Sequence, residues 1–216
     1  MDARTKKLVT LAMFAALAYA AMALIRIPVV LFLKYEPKDV IITIAGFLYG
    51  PMASLIISLV VGFVEMITVS DTGWIGMIMN VISSCAFCCT AAVIYKRRRT
   101  LQGAIMGLVA GTVLMTVVML LWNYLITPIY MGYPREAVAA MLLPAFLPFN
   151  LVKAALNSAI TMLLYKPVVT ALRRSGLVEK RDSQMGKTQK SFAVIAGAVF
   201  VIATAVVVIL VLSKKI

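Results

Sequence analysis

The chain has no histidine. That absence removes the commonest general base, the commonest metal ligand and the usual proton relay, so histidine-dependent hydrolase and zinc-protease chemistries are excluded. Acids are scarce as well, eight against 21 lysines and arginines in 216 residues. Within the long apolar runs the only acid is Glu65, while Asp39 and Asp71 sit at predicted helix ends. Neither a dense acidic relay nor an inverted pair of repeats, the marks of an ion-coupled transporter, is present. Asp39 can equally be read as the N-cap of a helix beginning at Val40. No GxxxxGK[ST] phosphate loop occurs, so the chain has no visible means of using ATP. The three cysteines, Cys85, Cys88 and Cys89, lie together in an apolar run with no second pair to complete a metal site, and read as small buried hydrophobes.

What is abundant is hydrocarbon. Hydrophobic residues make up 63% of the sequence and the mean hydropathy is +1.02, far above the roughly 45–50% apolar content of soluble domains. Several runs approach the roughly 20 apolar residues needed to cross a bilayer, which makes this an all-α integral membrane protein. The net charge of +13 would suggest nucleic acid in a soluble protein, but the basic residues cluster in short segments between apolar runs and report orientation instead. Leu8–Ile25 has a basic start like a signal peptide, yet it is longer than the roughly 7–15 residues of a signal core and is taken as a retained span.

Residues 40–69 fit one tilted helix or two helices broken at Tyr49-Gly50-Pro51, where Gly-Pro disfavours continuation. Charge decides between them. With the N-terminus cytoplasmic, a single helix would put Lys96–Arg99 outside, against the positive-inside rule. The expected spans are therefore 8–27, 39–49, 51–68, 73–94, 102–126 and 143–168, a six-helix transmembrane bundle with 14 of the 21 basic residues inside. Arg26, Lys34 and Lys38 load the first outside loop against that trend. The 39–49 helix is too short, at about 16 Å, to face lipid across a full bilayer. A substrate-binding membrane domain over 1–175 is followed by a polar basic linker, 176–191, and a C-terminal hydrophobic segment, 192–216, expected to form a seventh transmembrane helix.

The last of the six spans carries Asn150, Lys153 and Asn157. At about 100° per residue these lie within roughly 60° of one another on a single face. An ammonium near the membrane centre costs on the order of 3 kcal/mol on insertion scales, so it marks a cavity or a partner unless it snorkels to an interface. Asn80 and Asn123, also toward the outer half, extend the set. An asparagine sets a donor beside an acceptor, matching the carbonyl and N–H edge of an imide or lactam, and a lysine can donate to a carbonyl or ring nitrogen. Tyr35, Trp74, Trp122, Tyr124, Tyr130 and Phe149 offer faces for an aromatic ring, although each alone also suits an interfacial belt. The amide-rich set favours a neutral ring over a cation, which would call for an acidic partner.

Four stretches in order, KYEPKDVIITIAGFLYGPMASLIISLVVGFVEM, DTGWIGMIMNVISS, NYLITPIYMG and PFNLVKAALNSAITMLLYKPV, resemble the riboflavin-specific S components of energy-coupling factor (ECF) vitamin transporters over roughly residues 5–175. The resemblance implies six helices and an outward-opening vitamin site covered by the first loop. It also implies coupling to a separate membrane subunit with two cytoplasmic ATPases, in the cell membrane of a prokaryote. By position, Asn150 and Lys153 fall where such proteins hold the pyrimidine edge of the flavin, with Asn123 and Asn157 as neighbours and Asn80 and Tyr35 as further candidates. Ala12, Ala16 and Ala20 match the family's A-x-x-x-A docking surface for the coupling subunit, and small residues every fourth position allow close helix approach in lipid. No cofactor is implied beyond riboflavin as the transported ligand, and no nucleic acid. An S component for another vitamin or flavin is the nearest alternative. From a different class, a membrane-embedded enzyme would need an activated nucleophile, for which only a serine with Lys153 as base is conceivable. The seventh hydrophobic segment lies outside the resemblance.

Overall fold

The computed structural model describes residues 2–30, 33–70, 72–177 and 189–214. Helix α1 (Ala3–Leu24) leads into a short antiparallel hairpin, β1 (Ile27–Val30) and β2 (Leu33–Tyr35), with Ile27 opposite Tyr35 and an irregularity between Pro28 and Val30. Then come α2 (Lys38–Tyr49), α3 (Pro51–Thr68), α4 (Gly73–Ser84), α5 (Thr90–Arg98), α6 (Leu101–Met131), α7 (Arg135–Met141), α8 (Leu147–Arg174) and α9 (Gln189–Lys214). A π-helical turn, Cys85–Cys89, fuses α4 to α5, and another, Leu142–Phe146, fuses α7 to α8. Among the described residues five continuous helices are long and apolar enough to cross a membrane, and α2 completes the six-helix bundle as a short inner member.

The break between α2 and α3 falls at Gly50, whose φ of +94° ends one helix while Pro51 opens the next. Nine of the twelve residues of α2 are buried, from Lys38 through Phe47, which is how a helix too short for the bilayer avoids lipid. The hairpin is an addition to the expected all-helical chain. Asp39 is not an N-cap: α2 starts at Lys38 after Pro37, and the Asp39 side chain turns fully into the bundle.

A close helix approach is built by glycine. Gly103, Gly107 and Gly111 recur every fourth residue on α6, and a Cβ on Gly107 or Gly111 would stand 2.7 or 2.6 Å from the Ala91 or Phe87 carbonyl oxygen. Without a hydrophobic driving force between helices in lipid, such backbone proximity is what dispersion can reward. The free thiols Cys85, Cys88 and Cys89 lie on this same π-helical turn, and among the described residues no metal-binding group forms. Within the bundle Phe47, Tyr95 and Tyr165 pack together, the Tyr165 ring edge-on to the other two, and the two hydroxyls are 2.8 Å apart. Helix α9 lies along α8 and against β1, outside the six-helix bundle.

Candidate binding site

The hairpin folds over a cavity of about 340 Å³, within the usual range for small-molecule sites of roughly 300–1,000 Å³. Its wall is assembled from four helices and the first loop: Arg26, Leu33, Lys34 and Glu36 above, Glu65 from α3, Met79, Asn80 and Ser83 from α4, Met119, Asn123 and Tyr130 from α6, and Phe149, Asn150 and Lys153 from α8. Asn150 and Lys153 thus face one space from adjacent turns, as their spacing requires. Asn150 Nδ2 donates to the Phe146 carbonyl (2.8 Å), and Asn123 Nδ2 donates to the Met119 carbonyl (2.7 Å) while its Oδ1 accepts from Thr127 (3.0 Å).

Of the other two asparagines, Asn80 lines the cavity and Asn157 does not. Asn157 lies one turn deeper, accepting from the Tyr35 hydroxyl at 3.2 Å and donating to Asp39 Oδ2 at 3.4 Å. Asn80 keeps its place in the cavity wall by donating its Nδ2 to Glu65 Oε1 at 2.9 Å. Tyr35 is buried behind the wall through that same Asn157 bond. Of the aromatic candidates, Tyr130 and Phe149 reach the cavity. Trp122 borders a small apolar recess that shares Thr72, Met79 and Tyr130 with it. Trp74 is 64% exposed, and Tyr124 lies beneath the Arg135 guanidinium.

Two charge clusters hold this wall, and sequence reasoning missed most of both. In the upper one, Arg26 pairs with Glu36 at 2.8 Å and Glu65 at 3.1 Å and donates to the Val69 carbonyl at 2.7 Å; Lys38 pairs with the same two acids at 3.0 and 2.6 Å. Lys38 is only 2% exposed, so it is an internal strut and not an outside-loop charge. Burial alone would raise the Glu36 carboxyl, but Lys38, Lys153 and Arg26 outweigh it and hold it below the ordinary carboxylate range. Burial, then the Asp39 charge, pushes the Tyr35 phenol well up, so it remains a donor. In the lower cluster, Asp39 accepts from Ser84 at 2.5 Å and stands 3.9 Å from the Lys153 ammonium. The available signal was Glu65: an acid inside a span needs a partner, and Arg26, Lys34 and Lys38 in the next loop were the bases on offer.

The outer faces complete the picture. On α1, Thr10, Phe14, Ala18 and Met22 are buried, while Ala12 and Ala16 are exposed and Ala20 is half-exposed on the opposite side.

A helical bundle whose buried charges and amides converge on a hairpin-covered cavity defines a membrane-embedded binding subunit. Its relatives agree. A family model described as ECF transporter, substrate-specific component, matches residues 6–165, and the chain belongs to that family. It is 29% identical over 181 residues to the riboflavin transporter RibU of Staphylococcus aureus (strain TCH60), covering 79% of this chain and 94% of that protein. It is 26% identical over 174 residues to the riboflavin transporter FmnP of Bacillus subtilis (strain 168), covering 75% and 91%. A solved structure of the S component of a bacterial ECF transporter superposes with a TM-score of 0.65 at 28% identity, over 78% of this chain and 98% of the other. Membership in a family of transporter components sets the membrane-enzyme alternative aside.

Proposed function

We propose that this chain captures riboflavin outside the cell and delivers it inward while docked to a membrane coupling subunit driven by two cytoplasmic ATPases. One observation carries the ligand: Asn150 and Lys153 stand side by side in the wall of a hairpin-covered cavity, in a chain similar over most of its length to two riboflavin transporters. The amide and the ammonium suit the carbonyl and N–H edge of a flavin pyrimidine, with Asn123 beside them and Tyr130 and Phe149 against the ring. Asn80 lines the same cavity, and Asn157 and Tyr35 serve this reading as supports behind its wall. The charges around the site, Arg26, Lys34, Lys38 and Lys153 against Glu36, Asp39 and Glu65, nearly cancel, which suits a neutral ring. The N-terminus lies in the cytoplasm in this reading, which the placement of the basic clusters supports by the positive-inside rule. Ala12, Ala16 and Ala20 form the docking row.

The test is direct. Purified protein titrated with riboflavin should quench flavin fluorescence at one ligand per chain, and excess thiamin, biotin or folate should not displace it. An unchanged flavin spectrum at saturating protein refutes the assignment, and displacement by another vitamin replaces the ligand while keeping the class.

A further inference from the structure

Helix α9 lies beyond the stretch shared with the family, and nothing about a six-helix binding subunit calls for it. Its packing is specific. Ala198, Ile202, Ala205 and Ile209 recur at spacings of four, three and four, which keeps them within roughly 60° on one face. Ala198 and Ala205 are 6% and 4% exposed, whereas Val199, Val206 and Leu210 on the next face are 45–56% exposed. Small residues at the buried positions permit the close approach to α8.

The outer part of this seam meets the hairpin. Ala205 belongs to one apolar cluster with Val29, Leu33 and Tyr35 of the hairpin and Phe149 and Leu156 of α8, against which Ile202 and Ile209 pack. Among the described residues, β1 packs chiefly against its partner strand and α9. A two-stranded hairpin is at best marginally stable on its own and needs an apolar surface beneath it. Leu33 and Phe149 are also cavity wall, so the cluster that α9 completes has the ligand space on its other side.

We infer that α9 is a positioning element of the binding site: it holds β1, and through it the paired strand β2, whose Leu33 and Lys34 line the cavity, and thereby slows ligand release. The inference rests on the riboflavin reading for its ligand probe only. In the full-length protein, Ala205→Trp wedges the seam apart, Ile209→Ala thins it without adding bulk, and Val206→Trp places the same bulk on the exposed face. Riboflavin release, followed by the return of flavin fluorescence after dilution, should be about tenfold faster in Ala205→Trp, equivalent to about 1.4 kcal/mol. It should be faster by a smaller factor in Ile209→Ala and unchanged in Val206→Trp. Hydrogen exchange at the Val29 and Val30 amides, measured without ligand, should accelerate in the same order. Parental release and parental exchange in both seam variants overturn the inference; should Ala205→Trp not fold, Ile209→Ala decides alone. A parent that does not retain riboflavin refutes the flavin reading instead, and the ligand-free exchange then settles the clamp by itself.

Discussion

Lys153 illustrates how much one side chain depends on its neighbour. Its ammonium is almost fully buried, and the nearest carboxylate oxygen, on Asp39, is 3.9 Å away. That is too long for a hydrogen bond but short enough to offset part of the cost of burying the charge. Donors are thereby left for a ligand in the cavity that Lys153 lines. Lys153→Met should weaken riboflavin binding by about 1–3 kcal/mol, the usual worth of a hydrogen bond from a charged group. Equal affinity in titrations of mutant and parent would show that the ammonium makes no ligand contact. Asp39→Asn should also weaken binding, yet cost little further affinity in a Lys153→Met background, because the carboxylate acts through the lysine. A double-mutant cycle by calorimetry measures this; additive losses would mean that Asp39 acts through its bonds to Ser84 and Asn157 and not through the lysine.

Elements in this bundle are set by contact as much as by length. Helix α6 can approach α5 and its preceding π-helical turn only because Gly107 and Gly111 carry no side chain where the Ala91 and Phe87 carbonyls pass. Gly111→Leu should therefore cost about 1–3 kcal/mol of stability through overpacking. The comparison is Val109→Leu on the same helix, where an exposed side chain already meets the surroundings. Thermal unfolding in detergent should separate the two, with a lower midpoint for Gly111→Leu and a parental one for Val109→Leu; equal midpoints would show that the helices can part at no cost. Helix α2 makes the complementary point. At twelve residues it is too short to bridge the bilayer alone, and it persists because its neighbours bury it on nearly every side.

At the scale of the molecule, binding and transport should separate. On α1 the buried face packs into the bundle while Ala12, Ala16 and Ala20 look outward, so bulk at Ala16 meets no part of the binding cavity. Ala16→Trp should keep riboflavin affinity in the isolated protein and abolish uptake in cells that also express the coupling subunit and ATPases. Full uptake would mean that this row is not the docking face. Lost affinity would mean that α1 communicates with the cavity from outside the bundle.

The sequence by itself determined the membrane class, the break at Gly50-Pro51, the burial of α2 and the α8 stripe. Each follows from composition, charge placement or helical period, which are local properties of the chain. The two longest expected spans come out longer still: α6 runs on through Pro128 to Met131, and α7 leads across a π-helical turn into α8, which reaches Arg174. Only the tertiary structure decided which polar residues share a space. It divided one expected group of amides into a cavity wall of Asn123, Asn150 and Asn80 and a support of Asn157, and moved Asp39 and Lys38 from helix end and loop to the interior. It also paired Glu65 with Arg26 and Lys38 across gaps of 39 and 27 residues. The physical reason is that a buried charge is tolerable only beside its counter-charge, and which counter-charge lies within reach is a property of packed helices, not of neighbours along the chain.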